Sequence, residues 1–116
     1  MKQLIILTLG VVGFCGLTMC TPKSTAAKTS SAPGDAELVA GKTKFSNLTL
    51  TELTKGYSIY HGACTNCHAA KNINERSEEK WVDVLNAMAP KANLSKEEKD
   101  VVWKYIMATK LAAKSN

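Results

Sequence analysis

A chain of 116 residues carrying a net charge of +5 is short and mildly basic. The excess is spread: four lysines (23, 28, 42, 44) oppose Asp35 and Glu37 before residue 49, and ten basic residues oppose eight acidic ones from Thr49 onward. This distribution excludes nucleic acid as a partner, since that needs basic residues gathered on one face; a mildly basic N-terminal stretch suits an anionic membrane surface instead.

In chain order, Lys2 supplies a positive start and Leu4 to Phe14 forms an apolar run too short for a comfortable membrane span, the pattern of an export signal. The run ends in Leu17-Thr18-Met19-Cys20, which resembles the lipobox of bacterial lipoproteins, although Met19 stands where that motif has a small residue. The resemblance implies a lipoprotein-type signal peptide over residues 1–19 and a mature chain beginning at Cys20. Lipidation of the Cys20 thiol would then anchor it on the periplasmic face of a bacterial membrane, because more than one acyl chain attaches stably. Cys15 is a poorer candidate, with Phe14 before it. A spare signal-peptide cysteine is the plainer alternative for Cys20.

Residues 21–33 are rich in Thr, Ser, Ala and Lys and broken by Pro22 and Pro33, so a flexible tether is expected over 20–46. Leu38, Val39 and Phe45 leave open a short helix or some packing near its end. The folded domain is expected over residues 47–116, a length whose core is marginal without added apolar surface. Thr49-x-x-Glu52 is a capping box, and Leu50, Leu53, Tyr57 and Tyr60 follow on a helical stripe. The first helix therefore runs from Thr49 or Leu50 to about Ala63. Gly56 inside it costs roughly 1 kcal/mol against alanine, which points to another helix crossing there.

Cys64-Thr65-Asn66-Cys67-His68 follows, the C-x-x-C-H spacing of a haem c attachment site. Two thiols three positions apart can add across the vinyl groups of one haem, and the next residue can set an imidazole on the iron. Two other chemistries use these residue types. A redox dithiol needs a βαβ context, for which no strand pattern precedes Cys64. A zinc site would have to draw its ligands from His61, Cys64, Cys67 and His68, with adjacent Cys67 and His68 serving one tetrahedron. Cys15 and Cys20 belong to the export segment, so no cysteine pair remains for a structural disulfide.

A second helix is expected from Ser77 to Ala87, with Trp81, Leu85 and Met88 spaced as one face and Pro90 closing it. Ser95-x-x-Glu98 caps a third, through Val101, Val102, Tyr105 and Ile106 to about Leu111.

Gly56-x-x-x-Tyr60-x-x-x-Cys64-x-x-Cys67-His68 resembles the first helix and haem motif of class I cytochromes c, and the chain is similar to their short bacterial monohaem domains. The resemblance spans Thr49 to Leu111. It implies an all-α fold, a three-helix domain wrapped around one covalent haem c, with Gly56 and Tyr60 meeting Val102 and Tyr105 on the last helix and Trp81 packing on the haem or the helices. It implies His68 as proximal ligand and Met88 as distal ligand, Met107 being a filler within the third helix. His61 lies three residues before Cys64, where a solvent-facing helix position is the plainer reading. No proline separates His68 from Met88, so the usual carbonyl partner of the ligand histidine is not identifiable.

The expected function is single-electron transfer outside the cytoplasm. The partners would be redox proteins and, through the anchor, a membrane, with the chain either monomeric or the haem subunit of a larger oxidoreductase. The rival reading is a haem sensor or peroxidase-like protein with an open distal position, though no distal His/Arg pair supports it. A zinc-stabilised interaction module is the third.

Overall fold

A computed structural model describes residues 31–115. The described residues form four helices, α1 (Asp35–Lys42), α2 (Leu50–His61), α3 (Glu78–Met88) and α4 (Lys96–Lys114); the first and last connections are short, and the long one between α2 and α3 carries single 3-10 turns at Ala63–Thr65 and Ile73–Glu75. The fold is all-α, with no strand among the described residues. None of the described helices is long and apolar enough to cross a membrane. The expected signal peptide and Cys20 lie outside the described residues.

The first and third expected helices start at their predicted caps, and the second starts from Ser77, which the structure shows to be a cap as well. The Thr49 hydroxyl accepts from the Glu52 amide at 3.2 Å, and the Glu52 carboxylate accepts from the Thr49 amide at 3.0 Å. Ser95 and Glu98 repeat this reciprocal pair at 3.1 and 2.9 Å, and Ser77 accepts from the Lys80 amide at 3.3 Å. Such a cap satisfies donors that the first turn leaves orphaned and is worth about 1 kcal/mol.

Helix α4 is the spine. It is buried over Tyr105 to Ala108, and its Val102, Ile106 and Met107 form the innermost core with Leu53 of α2. Side chains of this size each gain roughly 1.5–3 kcal/mol on full burial. Two close helix crossings share one face of α4. A Cβ at Gly56 would stand 2.2 Å from the Val101 carbonyl oxygen and 2.8 Å from the Tyr105 Cβ. A Cβ at Gly41 would stand 2.8 Å from the Ala108 Cβ and 2.5 Å from Leu48 Cδ2. Val101 and Ala108 are seven residues apart, two turns on the same side. Gly56 thus marks a crossing helix, as its position predicts; its nearest neighbours are Val101 and Tyr105, while Val102 points into the core.

The packed unit begins earlier than residue 47. Residues 35–42, which the sequence reading places in the tether while leaving a short helix or some packing open, form α1 and lie against α4. The Gly34 amide donates to the Glu37 carboxylate at 3.0 Å to start the helix, and Ala40, Gly41 and the following Leu48 are buried. Few large apolar residues advertise this contact, because a glycine and an alanine make it through backbone proximity. Lys44 forms an ion pair with Glu78 and lies 5.7 Å from the Trp103 ring centroid, so it belongs to the domain surface and not to a tether.

Candidate haem-attachment site

Helix α2 ends at His61, and Gly62 leaves helical space to begin the turn that carries Cys64. Thr65, the first residue between the two cysteines, donates its hydroxyl to the carbonyls of His61 at 2.8 Å and Gly62 at 2.9 Å. That side chain ties the motif to the last turn of α2. Cys64 is half-buried and Cys67 exposed, and both are free thiols. Burial pushes the Cys64 thiol above its ordinary value. A reactive dithiol needs the reverse, a thiolate stabilised near neutrality, and the all-α surroundings also lack the strand-to-helix junction of such sites.

His68 is exposed, and its Nδ1 lies 2.9 Å from the Ala69 carbonyl oxygen. A carbonyl only accepts, so Nδ1 carries a proton, and in the neutral ring the lone pair is then on Nε2. A neutral imidazole anchored through one nitrogen and open at the other is the donor an iron ion takes. The carbonyl partner that the sequence left unidentified is therefore Ala69. Two cysteines at this spacing and an adjacent imidazole are the donor types that a covalently attached haem takes. Among the described residues, no three His, Cys, Asp or Glu side chains converge as a metal cluster, which gives the zinc reading no support.

The segment after His68 has little regular structure but is fastened at its carbonyls. Tyr60 donates its hydroxyl to the Lys71 carbonyl, and Trp81 Nε1 donates to the Ile73 carbonyl at 2.9 Å. Lys110 Nζ, from α4, donates to the carbonyls of Ile73 at 3.5 Å and of Arg76. Ile73 itself is buried, and the Arg76 guanidinium lies 5.5 Å from the Trp81 ring centroid.

The aromatic positions singled out from sequence come together behind the motif. The Tyr60 ring centroid lies 5.7 Å from that of Tyr105 and 6.0 Å from that of Trp81, tilted or edge-on as aromatic quadrupoles prefer. Burial raises the Tyr60 phenol to about 12 and pushes the Tyr105 phenol up as well. His61 does not face solvent as expected. It is half-buried, 4.5 Å from the Tyr57 ring centroid, with Nε2 3.4 Å from the Tyr105 hydroxyl. Burial lowers its pKa, which holds it neutral. An imidazole so engaged at Nε2 is a packing residue.

The two described methionines differ sharply. Met107 is fully buried inside α4, a core residue as expected, whereas Met88 is 37% exposed at the C-terminal end of α3. Its carbonyl accepts from the Ala92 amide at 2.9 Å, opening a turn in which Asn93 takes a left-handed φ of 54°. Three contributors escaped the sequence reading: Thr65, the Ala69 carbonyl and Lys110. The first two are local contacts with no periodic signature. Lys110 had a faint one, falling four residues after Ile106 on the core stripe.

No family model matches the chain, and no solved structure does. It is similar to the cytochrome c-type protein TorC of Escherichia coli O157:H7 and to that of strain K12, 35% identical in each case over 49 residues. The shared stretch is 42% of this chain and 13% of TorC, so the chain spans only a small part of the length of the relatives it matches.

Proposed function

We propose that the chain is a single-electron carrier built on one covalent haem c, acting outside the cytoplasm on a membrane tether. One observation carries the reading: His68 Nδ1 is committed to the Ala69 carbonyl, which leaves Nε2 as the available donor in a motif whose two cysteines have haem-attachment spacing. The partial similarity to a cytochrome c-type protein supports haem chemistry, and an export signal supports a compartment where such attachment occurs.

Cys64 and Cys67 would hold the group as thioethers, His68 Nε2 would take the proximal iron position and the Met88 thioether the distal one. When bound, the haem supplies a one-electron ferric/ferrous couple whose potential a thioether ligand raises. With His68 and Met88 both serving as ligands, the iron would offer no vacancy to a substrate. The chain's own residues then act by burial, orientation and hydrogen bonding, not as acids or bases. Cys20 would carry the lipid anchor, with redox proteins as partners.

The test is optical. The carrier reading expects a c-type spectrum that survives denaturation and a far-red methionine–iron band in the ferric protein, the band lost in Met88→Ala. High-spin ferric haem that binds cyanide readily would favour a sensor or peroxidase-like protein, and zinc without Soret absorption would end the haem reading. Cys20→Ser is expected to release the protein from the membrane fraction; unchanged association would sink the lipid anchor.

A further inference from the structure

Lys110 is a lysine in the interior, 8% exposed, with no carboxylate within ion-pairing distance among the described residues. Burying an ammonium is costly unless polar groups replace its water. Its partners are backbone carbonyls at both ends of the second 3-10 turn, Ile73 and Arg76. The Ile73 oxygen thus receives two donors, Trp81 Nε1 and Lys110 Nζ, which uses both its lone pairs. The Arg76 oxygen is the C-cap carbonyl of the turn, a half-buried group without a partner in the turn itself.

We infer that Lys110 is a positioning residue for His68, clamping from α4 the loop whose first carbonyl orients the imidazole. The inference rests on the haem reading. The connection runs along one short segment: Ala69 holds His68 Nδ1, Lys71 is held by Tyr60, and Ile73 and Arg76 are held by Lys110. Residues 69–72 are exposed and form no helix, so their placement depends on these tie points. Of the side chains that fasten the loop, Lys110 alone reaches two of its carbonyls, and it does so from the most deeply buried helix. Loss of the clamp frees the Ala69 carbonyl to drift from Nδ1. The imidazole then donates less electron density at Nε2, and the ferric state loses stabilisation.

The holoprotein tests this with Lys110→Met, which keeps the aliphatic stem and removes the donor. Two readouts are expected to move together. Amide exchange at Asn74 and Glu75, whose hydrogens bond Asn72 Oδ1 and the Asn72 carbonyl, should quicken by about tenfold or more. The reduction potential should rise. Lys110→Arg, a charged donor, should return both towards the wild-type values; Arg leaving both where Met puts them would assign the effect to packing and overturn the proposal.

The sign of the potential separates positioning from simple charge. Removing a nearby positive charge stabilises ferric haem and lowers the potential, so a fall in Lys110→Met overturns the inference, as does no change in either readout. If that variant fails to accumulate with haem, Lys110→Leu, shorter and likewise without a donor, carries the comparison with the same expected signs. A wild-type chain without covalent haem would sink the haem reading itself. A wild-type chain that holds haem beside an unmoved Lys110→Met would sink only the role of Lys110.

Discussion

The α1–α2–α4 crossings and the segment from Gly62 to Arg76 are held by opposite means. In the first, backbones approach so closely at Gly41 and Gly56 that no side chain fits between them, and the neighbouring apolar residues are fully buried. In the second, few residues are buried, and side chains from α2, α3 and α4 reach out to single backbone carbonyls. Close packing gives a stiff frame that tolerates no change of volume. Discrete hydrogen bonds instead hold an open loop in one conformation while leaving Cys67 and His68 exposed for chemistry. The reactive groups lie on the segment with the lower local stability, fastened to the one with the higher.

The comparison is most readily broken at Gly56. Alanine there gains about 1 kcal/mol of helix propensity but drives a Cβ into the Val101 carbonyl, a backbone atom that cannot rotate aside. A net loss of at least about 2 kcal/mol is expected in a urea melt, with every helical probe moving together. A melt unchanged in midpoint would mean that the crossing is looser than described.

Tyr60→Phe acts on the other region. It removes the donor to the Lys71 carbonyl at a cost of about 1 kcal/mol, and should quicken amide exchange in the loop before it disturbs α4. It also carries a pH signature. Burial raises the folded-state phenol from its ordinary 10 to about 12, so its contribution is complete below pH 10 and is lost as pH rises towards 12. Wild type should lose stability over that window, and Tyr60→Phe should lose less; parallel curves would refute the assignment.

A smaller effect is expected from His61. Its folded pKa is depressed by burial, so its contribution is present above the ordinary value of about 6.5 and lost as pH falls through the lower folded value. Thermal melts from pH 7 to 5 should show a shallower decline in His61→Gln than in wild type. Smallest of all is Glu52→Gln. The Lys104 ammonium 2.8 Å away holds the Glu52 carboxyl below its ordinary range, but both side chains are partly solvated. A double-mutant cycle with Lys104→Met should give about 0.2–1 kcal/mol, less still in high salt.

Much of this organisation is legible in the primary structure because it depends on near neighbours. The capping pairs Thr49/Glu52 and Ser95/Glu98, the helical stripes and the spacing of Cys64, Cys67 and His68 all lie within four residues along the chain. Gly56 is readable as a crossing point because an interior glycine is costly in a helix without a reason. Helix α1 is only half readable: Leu38, Val39 and Phe45 leave a short helix open but do not show what it packs against. Its contact uses Ala40 and Gly41, whose small side chains carry almost no hydropathy signal.

The sequence alone determined the helical elements, the three helix starts and the C-x-x-C-H motif, since local propensity and fixed short spacings decide them. Only the tertiary structure decided which atoms complete the site. The Ala69 carbonyl sets the tautomer of His68, a backbone group that is the same in every residue and leaves no mark in sequence. Lys110 meets Ile73 and Arg76 across more than thirty positions, and His61 turns inward onto Tyr57 and Tyr105. Contacts between residues far apart in the chain arise from how helices cross, and that is set by the packing of the whole core.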